Sequence, residues 1–184
     1  MPSASVRRLA PPTEALRAAW PRCFAEWLLA ALALCWGASA FASVLHGRVV
    51  GVSDGDSITV LSNARQTHKI RLAGIDAPER GQPWASRSRQ HLAALVFGRE
   101  VDVETGKIDR YGRTLGKVMV DGRDAGLVLL RAGLAWHYKA YQHEQVGEDR
   151  WRYALAEHEA RAYAEGLWGD PAPVPPWEYR KARR

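Results

Sequence analysis

Residues 46–79, HGRVVGVSDGDSITVLSNARQTHKIRLAGIDAPE, decide the fold. His46 to Val52 and Ser57 to Leu61 are β-branched runs separated by SDGD, a turn-forming group, so together they read as a hairpin. Thr67 to Gly74 follows as a third strand, with Ile70 and Leu72 on one face and Lys69 and Arg71 on the other. Pro78 restricts the residue before it, so Asp76 and Glu79 are presented on a defined turn. Asp54, Asp56, Arg71, Asp76 and Glu79 thus fall within 26 residues, and Arg113 follows inside DRYGRTLGKV.

The rest of the chain supplies the remaining elements. Ala85 to Phe97 reads as a helix with Leu92, Leu95 and Val96 inward and Gly98 as its stop. Arg99 to Glu104 and Thr114 to Val120 are two further strands. TGKIDRYG between them has no sustained period and reads as a mobile loop that delivers Tyr111 and Arg113. Asp124 to Ala132 is a short apolar helix. Val146 to Glu165 is a longer one on which Trp151, Leu155, His158 and Ala162 recur at helical spacing. In the tail, residues 171–184, four prolines in six residues predict an extended, basic strap. Trp136, Trp151, Trp168 and Trp177 are expected to pack the C-terminal helices and the strap. Five short strands with about three helices predict a mainly β fold with α: an OB-type five-stranded barrel over residues 43–170.

The 184 residues suffice for one ordinary domain and are too few for two. A formal charge of +6, spread along the chain, suits an anionic partner without identifying one. Residues 1–42 differ from the remainder. Arg7, Arg8, Arg17 and Arg22 precede the uncharged run WLLAALALCW, and Ala40-Phe41-Ala42 forms a small-x-small site, the layout of a secretory signal. The apolar run is short for a membrane span of roughly 20 residues. Cleavage after Ala42 would give a secreted or periplasmic chain, and an uncleaved leader would anchor it to the membrane. Both cysteines, Cys23 and Cys35, lie in the leader, so the domain after it has no disulfide and no thiolate metal site. That domain stays basic, with 22 Lys and Arg against 18 Asp and Glu.

Hard oxygen ligands suit a cation that polarises phosphate and holds water. Asp56 and Asp76 with a backbone carbonyl could supply them to Ca²⁺, with Asp54 just outside. The spacing excludes an EF-hand: counted from Asp54, the sixth residue is Thr59 rather than Gly and the twelfth is Arg65 rather than Glu. Glu79 is the candidate general base, and Arg71 and Arg113 offer planar forks to phosphate oxygens. Tyr111, Tyr138, Lys139 and Tyr141 are candidates to contact flanking phosphates or stack on bases. Taken singly, each has an ordinary reading: a β-turn for DGDS, an exposed loop Glu, a surface ion pair for each arginine, packing beside the barrel for the tyrosines. The six histidines show no ligand spacing.

DGDSITVL, RLAGIDAPE and DRYGRTLGKV, in this order, resemble the signatures of the staphylococcal nuclease (thermonuclease-like) family, over roughly His46 to Trp168. The resemblance implies an OB-fold barrel, Ca²⁺ dependence and endonucleolytic cleavage of DNA and RNA with little sequence preference, leaving 3′-phosphate ends. By motif position, Asp56 and Asp76 resemble the metal ligands and Asp54 an outer-shell carboxylate. Glu79 resembles the general base, Arg71 and Arg113 the phosphate-binding arginines, and Tyr111 the tyrosine near the substrate's terminal phosphate. Ser57 stands where Thr is commoner and retains the hydroxyl. No protein partner is implied, and a monomer is expected. The competing reading is a nucleic-acid-binding OB module without catalysis, which the full set of six charged positions disfavours.

Overall fold

Residues 44–72 fold as a three-stranded antiparallel meander, β1 (Val44–Val52), β2 (Ser57–Ser62) and β3 (Thr67–Leu72), with Val49 opposite Val60 and Ile58 opposite Ile70. The structure, a computed structural model, describes residues 44–183. The expected leader 1–42, with its cleavage site and both cysteines, lies outside the described residues. Among those described, no helix is long and apolar enough to cross a membrane.

Two longer strands complete the barrel. β5 (Glu100–Ile108) pairs antiparallel with β1 and with β6 (Thr114–Val120), and the ring closes where β3 runs parallel to β6, with Ile70–Leu72 against Thr114–Gly116. The short strand β4 (Ile75–Asp76) leaves the wall to pair with β8 (Trp136–His137), and β7 (Arg123–Asp124) extends β6. Period-two alternation turns Val49, Val60, Ile70, Leu72, Val103 and Val118 inward, each at most 1% exposed. Helices α1 (Ala85–Val96) and α2 (Ala125–Arg131) contribute Leu92, Val96, Leu129 and Leu130 to the same core. This is the five-stranded OB barrel expected from the sequence.

Three details depart from the sequence reading. The segment after Glu104 is not a mobile loop: β5 continues to Ile108, and a tight turn follows in which Asp109 Oδ1 accepts from the backbone N–H of Tyr111 and of Arg113, both at 2.9 Å. On helix α3 (Gly147–Ala162) the buried face is Tyr153, Ala156, Glu157 and Ala160, whereas Trp151, Leu155 and His158 are exposed. The C-terminal strap is extended only through its prolines. Helix α4 (Pro176–Ala182) follows because Pro176 takes its first position, where the missing N–H costs nothing and the fixed φ suits the helix.

Asp124 ties the helices to the barrel. Its Oδ1 caps α2 by accepting from Gly126 N (2.9 Å) and Leu127 N (3.2 Å), and it also receives the buried Tyr153 hydroxyl of α3 at 3.0 Å. Burial, reinforced by the neighbouring Asp124 charge, pushes the Tyr153 pKa well above its ordinary value, so the phenol remains a donor. Asp124→Ala removes the cap and orphans that hydroxyl, and is expected to cost about 2–4 kcal/mol. Urea denaturation measures it; a loss below about 1 kcal/mol would show that the cap is dispensable.

Candidate active site

The SDGDS turn between β1 and β2 is closed by Ser53 N donating to Ser57 O at 2.9 Å, and Asp54 Oδ1 accepts from Asp56 N at 3.1 Å. The turn lies tight against its neighbours. A Cβ on Gly55 would stand 2.0 Å from Ser88 Oγ of α1 and 2.7 Å from Ala77 Cβ, so only glycine lets the turn settle there. Asp56 is consequently buried, and its Oδ2 accepts from Ala77 N at 3.1 Å, which fastens the DAPE loop to the turn.

Arg71 emerges from β3 on the face opposite Ile70 and Leu72. Its two terminal nitrogens bridge the carboxylates: Nη1 to Asp56 Oδ1 at 3.0 Å and Nη2 to Asp76 Oδ1 at 2.6 Å, with side-chain exposures of 15% for Arg71, 5% for Asp56 and 0% for Asp76. Burial lowers the arginine's pKa, but Asp56 and Asp76 more than reverse this, so the net shift is upward and the guanidinium stays charged. For Asp56, burial outweighs Arg71, and the nearby Asp54 adds to it, so its pKa is raised.

Arg113, directly before β6, is aimed by the turn it closes. Asp109 Oδ2 accepts from its Nε at 2.8 Å and pairs with Nη2 at 2.7 Å, leaving Nη1 to donate to Ser57 Oγ at 3.1 Å. Ser57 passes the contact on by donating to Asp56 Oδ1 at 2.9 Å, so the hydroxyl at this position links the second arginine to Asp56. Asp109 is partly desolvated, yet hydrogen bonds from the backbone and side chain of Arg113 and from Tyr111 N hold its pKa below the usual range. Glu79 lies at the mouth, its backbone N–H donating to Gln82 Oε1 at 3.0 Å.

Asp54, Asp56, Arg71, Asp76 and Arg113 thus lie in one connected cluster, which, among the described residues, the Glu79 side chain joins only through Arg180 of α4. The aromatic candidates are more dispersed. Tyr111 is 67% exposed and meets the cluster through Arg113, whose guanidinium lies 5.6 Å from its ring centroid. Tyr138 stacks on Trp177 at 5.6 Å, and Tyr141 lies 5.2 Å from Tyr138. Lys139 is paired with the buried Glu157 of α3 at 2.7 Å, so it points toward the helices. Trp136, Trp168 and Trp177 pack together as expected, and Trp151 does not join them.

Sequence reasoning missed Arg180 of α4, which reaches Asp76 and Glu79 from 104 and 101 residues away. The one available signal was Trp177-x-x-Arg180 directly after Pro175-Pro176, which places an aromatic and a guanidinium on one face of a short helix.

Among the described residues no three His, Cys, Asp or Glu side chains converge as a ready metal cage. A cation at Asp56 and Asp76 would draw two carboxylates and complete its shell with carbonyl oxygen and water. That all-oxygen set fits a hard divalent ion rather than zinc, and an Asp56 carboxylate that burial leaves under-compensated fits it too.

An OB barrel with carboxylates and guanidiniums gathered on its outer wall presents the charges that phosphodiester hydrolysis needs. Residues 69–170 match the family model described as staphylococcal nuclease homologue. The chain is 43% identical over 148 residues to a micrococcal nuclease of Shigella flexneri, covering 76% of this chain and 82% of that protein. It is 42% identical over 137 residues to an uncharacterized endonuclease of Escherichia coli, covering 74% and 85%. With an uncharacterized endonuclease of Haemophilus influenzae it shares 36% over 137 residues, 74% of each chain. The chain belongs to the staphylococcal nuclease family.

Proposed function

We propose that this protein is an exported, Ca²⁺-dependent endonuclease that hydrolyses DNA and RNA with little sequence preference and leaves 3′-phosphate ends, acting as a monomer. The observation that carries the reading is the Arg71 fork across Asp56 and Asp76, with Arg113 joined to Asp56 through Ser57. Export rests on the basic and apolar layout of residues 1–42, and retention of that segment would give a membrane-anchored form.

Asp56 and Asp76 would hold the ion, with Asp54 outside through water; once bound, it supplies positive charge to a phosphoryl oxygen and polarises water. Arg71 uses one N–H of each terminal nitrogen on a carboxylate and keeps further N–H donors for phosphoryl oxygens as negative charge grows on them. Arg113, aimed by Asp109, does the same from the neighbouring strand. Glu79, 37% exposed at the mouth, orients the attacking water and accepts its proton. Tyr111 flanks the terminal phosphate. Tyr138 and Tyr141 lie beside a cleft of about 360 Å³ lined by Trp136, Tyr138, Lys139 and Trp177, where a base would stack. Lys139 joins them only if it leaves Glu157.

The test is degradation of plasmid DNA by the purified protein with Ca²⁺ present and after chelation. Cleavage that stops on chelation is expected. Binding without cleavage across pH and divalent ions would establish the binding-module reading instead.

A further inference from the structure

Helix α4 enters the site from the far end of the chain. Trp177, on its first turn, packs edge-on to Trp136 at 5.6 Å and stacks on Tyr138, and Trp136 belongs to β8, the strand paired with Asp76. One turn later, Arg180 meets the carboxylates: Nη2 lies 2.8 Å from Asp76 Oδ2, and Nη1 lies 3.1 Å from Asp76 Oδ1 and 2.5 Å from Glu79 Oε1. The segment leading into the helix is fastened at two points, by Trp84 Nε1 to Asp170 Oδ2 at 2.8 Å and by Gln82 Nε2 to Val174 O at 2.5 Å. Because Gln82 also holds the Glu79 backbone, the tail and the Glu79 loop are one connected unit.

Asp76 is 0% exposed while the Arg180 side chain retains 34%, so the guanidinium covers the solvent side of the carboxylate. Its hydrogen bond to Asp76, with a smaller contribution from Glu79, raises its pKa far above the ordinary arginine value, and it is charged at every working pH. Arg71 already holds Asp76 Oδ1, and Arg180 holds Oδ2. A cation that takes Asp76 as a ligand must share this carboxylate with a like charge only a few ångströms away, which is unfavourable.

We propose that Arg180 is a positioning residue of the site: its fork holds Asp76 and Glu79 in register and competes with the divalent cation for Asp76 Oδ2. This rests on the reading of Asp56 and Asp76 as cation ligands. Cation entry then requires Arg180 to withdraw from Oδ2, so Arg180 sets the cation affinity. By thermodynamic reciprocity, cation loading loosens α4.

The test is Ca²⁺ titration by calorimetry of the purified full chain and its Arg180→Gln, Arg180→Lys and Asp76→Asn variants. It is paired with hydrogen exchange of residues 177–182 in the wild type with and without Ca²⁺. Arg180→Gln is expected to bind Ca²⁺ on the order of tenfold more tightly, Arg180→Lys to fall between, and Asp76→Asn to lose binding. Amides of 177–182 are expected to exchange faster in Ca²⁺. Unchanged or weaker affinity in a folded Arg180→Gln protein would overturn the proposal. So would unchanged or slower exchange, an arm that needs no variant and decides the matter if Arg180→Gln does not fold. Ca²⁺ binding by the wild type with unaltered affinity in the variant removes Arg180 alone. No Ca²⁺ binding by either protein removes the cation reading and the role of Arg180 with it.

Discussion

Arg71→Lys is expected to lower kcat/KM for nucleic-acid hydrolysis by about 10²–10³-fold, the scale of losing one donor to a charge-developing oxygen. A lysine keeps the charge, but its three N–H donors share one nitrogen and cannot reproduce a fork that spans Asp56 and Asp76 while also facing a phosphate. In the wild type each terminal nitrogen of the fork is committed to a different buried carboxylate. The substitution therefore leaves Asp56 or Asp76 short of a charge-assisted bond, a loss of about 1.5–3 kcal/mol in stability. Steady-state kinetics and thermal melting separate the two effects. Near-normal kcat/KM would remove Arg71 from the chemistry, and a normal rate with a lowered melting point would leave it a structural role only. Arg113→Lys should lose rate similarly with a smaller stability change, because its partner Asp109 and its own side chain are more exposed, at 14% and 23%.

Gly55→Ala is expected to damage both fold and site. A single methyl at this position would meet Ser88 Oγ at 2.0 Å, Ala77 Cβ at 2.7 Å and Ser88 Cβ at 2.8 Å, and a retreat of Ala77 would pull on its bond to Asp56. Overpacking of this kind costs about 1–3 kcal/mol. Here it also parts Asp56 from Ala77 N, so cation affinity should fall alongside the urea midpoint. Ser88→Gly in the same chain removes two of the three clashes and should recover part of both, although a glycine inside α1 costs about 1 kcal/mol by itself. Additive effects in the double variant would show that the contact with Ser88 is not what requires glycine at position 55.

The barrel was legible because its instructions are local. Alternation in β1 to β3 and the turn residues between them are short-range signals, and the carboxylates lie beside those turns. The end of β5 was not legible, since Gly106, Lys107 and Ile108 are all exposed and show no inward-outward alternation. The strand persists there because Ile108 pairs across to Thr114, beyond a bulge. The α3 face was misread because Trp151 and Leu155 are larger than Ala156 and Ala160. Close packing favours the small residues, and Tyr153 and Glu157 turn inward because Asp124 and Lys139 meet them there. Arg180 was illegible for a different reason. It is recruited through tertiary packing of Trp177 onto residues about 40 positions upstream, and no window of sequence contains that relationship.

The parallel seam between β3 and β6 is the shortest ladder of the barrel, three paired positions where each of the other four has five. Arg71 stands at its middle pair, and Arg113 directly precedes its first. The two guanidiniums are thus hung on the joint with the fewest cross-strand pairs, so their spacing depends on the least braced part of the wall.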